Sequence, residues 1–169
     1  MNEIASHRRV LVFELTSSAG DMYPDLFALD LAAVDQVIEV QGVSVVPLAP
    51  MVVEGLLTHH GRIVTVVDPA PLLGLDSQPF PASQVVVLRK TDQGSSHVGL
   101  KVFRSRDIVP AARLEPVQLP PGPGIETVAR FDQRLVHVVA PAVLNTTLGH
   151  RFETAEVRPQ PAVRSSSHG

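Results

Sequence analysis

Residues 50–74 read PMVVEGLLTHHGRIVTVVDPAPLLG, and the interpretation of this stretch decides the fold. Ile63–Val67 is a run rich in Val and Ile with Gly61 just before it and Asp68–Pro69 just after. β-Branched residues fit a pleated, half-buried surface, so a short run between turn residues reads as a strand. Ahead of it, Met51–Leu57 reads as a short apolar helical or looped turn, and Thr58–His59–His60–Gly61 as a polar bend.

The same logic extends in both directions. Arg9–Leu15 is a first strand, with Leu11, Phe13 and Leu15 alternating to one face. A second run covers Leu26–Leu31. Ala32–Val37 allows one helical turn, and Ile38–Val40 and Val43–Val46 flank a turn at Gln41–Gly42, where glycine tolerates positive φ. Asp76–Ser83 is a connection. Gln84–Lys90 has a QVVVL core suited to a strand buried on both faces, and His97–Phe103 returns from it after the bend Thr91–Ser96. Leu119–Gly124, LPPGPG, excludes regular structure. Two more strands, Ile125–Asp132 and Arg134–Ala140, meet at Asp132–Gln133. Pro141–Leu148 reads as a short helix that starts on proline and stops at Gly149. The tail, residues 149–169, offers no apolar face and is expected to be disordered.

Short strands at close spacing predict an all-β chain of one or two small barrels. The length of 169 residues fits one domain with a real core. The net charge of −3 and a lysine complement limited to Lys90 and Lys101 argue against nucleic acid, whose phosphates demand a concentrated basic footprint. No apolar run approaches the ~18 residues of a membrane span, and the N-terminus lacks a signal-peptide pattern. Without cysteine, thiolate metal sites and disulfides are excluded. A cytoplasmic location is the default expectation.

The order of these segments resembles the CheW-like family, the coupling domains of bacterial chemotaxis arrays. Pro50, Gly55, the bend ending in Gly61, and Asp68 match the family's central motif in offset. RRVLVFEL at Arg8–Leu15 is similar to its opening strand, and Val34–Val40 lies where it leads out of its second strand. HVGLKV at His97–Val102 is similar to its Val-Gly-aliphatic-Val-Val-Asp motif, with Gly99 in the glycine position and Asp107–Ile108–Val109 following. The resemblance covers residues 8–148. It implies two small five-stranded barrels, the first over about 8–76 and the second over about 83–140, with strand exchange between them allowed. It also implies a non-catalytic adaptor that joins a methyl-accepting chemoreceptor to a CheA-type histidine kinase, with no cofactor, no metal and no membrane insertion. By position, Val34, Gln36, His60 and Ile108 are the candidates for a receptor-facing groove.

Departures from the family pattern concentrate on that groove. His60 stands where the bend commonly has Arg, Gln36 where a Glu commonly accompanies it, Thr65 replaces a strand proline, and Phe103–Arg104 replaces Asp-Gly. His60 and Gln36 cannot form a bidentate charged pair. A divergent partner, or the loss of one of the two partners, is therefore an alternative within the same fold. A different class of reading makes His59, His60 and Asp68 the site of a small β-barrel enzyme or ligand-binding domain. Against it, no HxxxH or HxH spacing and no GxSxG elbow occurs, adjacent strand residues point oppositely, and Asp before Pro ordinarily caps a turn.

Overall fold

The structure, a computed structural model, describes residues 7–15, 26–76, 84–89, 97–142 and 144. Eleven strands occur among them: β1 Arg9–Glu14, β2 Leu26–Asp30, β3 Val34–Glu39, β4 Val53–His59, β5 Arg62–Val67, β6 Gln84–Leu88, β7 His97–Val102, β8 Arg104–Pro110, β9 Glu115–Pro116, β10 Ile125–Phe131 and β11 Arg134–Val139. The all-β class holds. The bend at 91–96, most of the 76–83 connection and the tail lie outside the described residues. So does most of the 141–148 helix, of which positions 141, 142 and 144 are helical.

Two sheets form, in the orders β8-β1-β2-β11-β10-β9 and β3-β6-β7-β5-β4. Each is antiparallel except for one parallel pair, β2 with β11 and β5 with β7. β1 and β2 therefore lie in one sheet with β8 to β11, and β6 and β7 in the other with β3 to β5.

Strand periodicity explains why three cores result. In β1, Leu11 and Phe13 join a large core whereas Val10 and Val12 join a second one on the opposite face. β2 divides in the same way, Phe27 and Leu29 against Leu26 and Ala28. In β6, Val86 and Leu88 enter the large core and Val85 and Val87 a third, together with Ile38, Val64 and Val66. The large core thus lies between the sheets, and each sheet curls over a small core of its own. A fully buried Val or Leu contributes about 1.5–3 kcal/mol, so strands buried on both faces, such as β1 and β6, anchor the fold. Phe13, Val64, Val66, Val86, Leu88, Val136 and Val138, all from strands, are buried. Beside the third core the segment that follows β3 is tied to the edge strand β4 through a single bridge, Ser44 to Leu56, with both hydrogen bonds at 2.8 Å. Gly55 permits this approach, because a Cβ there would sit 2.4 Å from the Ser44 carbonyl oxygen.

Three local readings change. Met51–Leu57 is neither helix nor loop beyond its first residues, since β4 begins at Val53 and pairs with β5. A short apolar run does not reveal its own period, and pairing decides it. The helical turn expected over Ala32–Val37 shrinks to a 3-10 turn at Leu31–Ala33, capped by Asp30 Oδ1 accepting from the Ala32 amide at 2.9 Å, and β3 takes the rest. Val43–Val46 forms no strand beyond the Ser44 bridge, because the chain turns at Val46–Ala49.

Both two-residue hairpin loops have positive φ at each position, as type I′ geometry requires: His60 at 47° and Gly61 at 74°, then Asp132 at 47° and Gln133 at 64°. Thr58 and His59, read as part of the bend, belong to β4.

Candidate functional site

The four groove candidates are distributed over both sheets. Val34 opens β3 opposite Leu88. It is buried in the large core, and its carbonyl accepts from Arg89 Nη2 at 3.0 Å. Gln36 follows on the same strand, half-buried and opposite Val87. His60 is exposed on the β4–β5 turn, beyond the other edge of that sheet, and no hydrogen bond joins it to Gln36. Ile108 lies on β8, an edge of the six-stranded sheet, opposite Leu11 and 38% exposed. Val34 and Gln36 therefore share one strand, whereas His60 and Ile108 come from separate elements.

His59, His60 and Asp68 do not form a common site. The two rings meet edge to face at the hairpin tip with centroids 4.1 Å apart. Asp68 is at the opposite end of β5, roughly 20 Å away at ~3.3 Å per strand residue. It is buried, and its Oδ1 accepts from the Ala70 amide at 3.0 Å, the turn-capping role that Asp-Pro indicated. Among the described residues no group of three or more His, Asp or Glu is arranged to hold a metal ion. No helix among them is long and apolar enough to cross a membrane.

Two buried ionic clusters escaped the sequence reading, and each stands at one end of a small core. Lys101, 2% exposed, lies two residues beyond Gly99, whose missing side chain would meet Val85 and Val64. Its Nζ contacts Glu54 Oε1 at 2.5 Å and Asp68 Oδ2 at 3.6 Å. Glu14 lies two residues beyond Val12, equally buried, and accepts from Arg106 Nε at 2.9 Å and from its Nη2, with Arg134 Nη2 at 3.7 Å. In both clusters one partner is the extra residue of a β-bulge. Glu54 falls between Val53 and Gly55, which face Val67 and Val66, and Arg106 falls between Ser105 and Asp107, which face Phe13 and Val12. A bulge re-aims its side chain, and here it supplies the counter-charge. The available signal was a lysine and a glutamate inside otherwise apolar strand runs, since such residues are almost never buried unless paired.

The accessible surface is suited to non-covalent contact. In the 43–52 loop, Val45 is 80% exposed and Leu48 and Met51 fully so. Leu48 also holds φ at 62°, a conformation that favours glycine. A cavity of about 690 Å³ opens where β3 ends, β6 begins and β7 passes into β8, lined by Glu39, Val40, Gln41, Gln84, Phe103 and Arg104.

The family model for the CheW-like domain matches residues 9–147, every strand from β1 to β11. No curated protein matches the chain by sequence. Among solved structures, the scaffolding protein TtCheW from Thermoanaerobacter tengcongensis is similar, with 20% identity over 79% of this chain and 88% of that one and a TM-score of 0.61. At this identity the likeness establishes a shared fold. The family match covers most of the sequence and all of the described strands, so the chain belongs to the CheW-like domain family.

Proposed function

We propose that this chain is a non-catalytic, cytoplasmic adaptor of a bacterial chemotaxis or motility system, coupling a methyl-accepting chemoreceptor to a CheA-type histidine kinase. The observation that carries the reading is family membership across the whole strand framework. The surface agrees with it: Val45, Leu48 and Met51 stand exposed on one loop, and exposed apolar groups gathered in this way mark interaction sites. In this reading Gln36, His60 and Ile108 make receptor contacts, and Val34, buried in the large core, anchors the strand that carries Gln36.

A second reading is favoured by one feature. With His60 and Gln36 in place of an Arg–carboxylate pair, the groove has lost a charged element, so the chain binds only the receptor or only the kinase. A neutral His60 offers one donor and one acceptor against the five donors of Arg. Titration of the purified chain, separately, with a receptor signalling fragment and with a kinase regulatory domain tests both readings. The adaptor reading expects saturable binding to each; binding to one alone favours the second, and binding to neither removes both.

A further inference from the structure

The 690 Å³ cavity combines charges that do not satisfy one another. Glu39 and Arg104 both line it and both are exposed, and among the described residues neither takes part in an ion pair. The Arg104 guanidinium carbon is 5.7 Å from the Phe103 ring centroid, so ring and cation form one platform. Gln84, directly opposite Glu39 in the sheet, uses its Oε1 to accept from the Ser105 amide at 2.6 Å and its hydroxyl at 2.9 Å. That orients its two N–H donors away from Ser105. Val40 adds an aliphatic wall. Phe103 and Arg104 are the two residues that depart from the family's Asp-Gly, so the aromatic and cationic wall does not follow from the family pattern.

We propose that this cleft binds a short segment of a partner polypeptide that sets an acidic residue on Arg104 and a basic residue on Glu39, with an apolar residue between them against Phe103 and Val40. Extent separates this occupant from a single ion, because the lining runs from Glu39–Gln41 across Gln84 to Phe103–Arg104, contributed by three separate stretches of chain. Charge complementarity fixes its chemistry: a ligand of one sign meets a repelling group on one wall. A guanidinium binds a carboxylate through a planar fork, which gives the segment a direction as well as affinity. The inference rests on the adaptor reading only in taking the occupant to be a protein.

The test uses a phage-displayed random heptapeptide library panned on the full chain, followed by titration of the enriched peptides in synthetic form. Enriched sequences are expected to place an acid and a base around an apolar residue. Arg104→Ala and Glu39→Ala should each weaken binding about five- to tenfold, the effect of one charged contact at an open site, and added salt should weaken it further. The double variant Glu39→Lys/Arg104→Glu should select peptides with acid and base interchanged. Unfolding curves of the variants, whose altered side chains are exposed, provide the folding control. No enrichment, affinities indifferent to both substitutions, or an unchanged preference in the swapped variant would overturn the proposal. If the chain in that case still bound receptor and kinase fragments, the adaptor reading would stand without it.

Discussion

Replacing Lys101 with Met removes the cation that contacts Glu54 and Asp68 while keeping a flexible side chain of similar volume in the small core. The two carboxylates are not equally affected. Glu54 is 32% exposed and recovers hydration by turning outward, whereas the Asp68 side chain is 5% exposed and stays fixed by its bond from the Ala70 amide. One buried carboxylate therefore loses the charge of Lys101 beside it. Breaking a buried pair from one side costs about 3–5 kcal/mol, and the partial hydration of Glu54 brings the expected loss to about 2–4 kcal/mol. For a domain of this size that corresponds to a fall in Tm on the order of 5–15 °C. Urea and thermal unfolding followed by circular dichroism at pH 7 measure it. Adding Asp68→Asn to Lys101→Met should recover most of the loss, because the amide oxygen still caps Ala70 and no buried charge remains. A Lys101→Met protein as stable as the parent, or a double variant no better than the single one, would refute the claim that Lys101 neutralises a buried carboxylate.

Other outcomes follow from local geometry. Gly99→Ala places a Cβ 2.3 Å from Val85 Cγ1, and overpacking of this kind should lower unfolding free energy by about 1–3 kcal/mol in a denaturant titration. Gln133→Gly relieves a φ of 64° in a type I′ turn and should raise stability by roughly 0.5–1 kcal/mol in the same assay. His60→Ala should weaken binding of a receptor fragment about five- to tenfold by calorimetry, the scale of one polar contact, and leave kinase binding and Tm unchanged. If His60→Ala and Val34→Ala together leave receptor affinity unaltered, the groove is not the docking site. Chelator treatment should leave Tm where it is, since among the described residues no three His, Asp or Glu are arranged to hold a metal ion whose binding would be linked to folding; a drop of several degrees restored by zinc would revive the histidine site.

Much of the framework is legible where side-chain alternation runs undisturbed. Leu11, Phe13 and Leu15 face one core as their spacing predicts, and QVVVL is buried on both faces. Asp132–Gln133 forms the turn read from sequence, although neither residue is glycine. Legibility fails where pairing overrides the local pattern. The apolar run before Thr58 has no period that distinguishes helix from strand, and its partner β5 settles the matter. It fails again at the bulges, because one extra residue inverts the face of everything beyond it. Glu54 and Arg106 are such residues, so neither buried ionic cluster was visible as a set. The groove candidates show a third limit: sequence position places Val34 and Gln36 together on β3, but only strand order shows that His60 and Ile108 lie at other edges. The cleft at Glu39 and Arg104 is of the same kind, assembled from the ends of strands far apart in sequence.

As the proposed adaptor, this chain would bring a receptor and a kinase into one complex. Co-sedimentation of a CheA-type kinase with membranes carrying chemoreceptor, measured with and without the purified chain, tests it most directly. An adaptor should make the kinase sediment with receptor membranes in a saturable manner that depends on the added chain, and should sediment with it. Kinase recovery that is unchanged by the chain at any concentration would rule out the adaptor role.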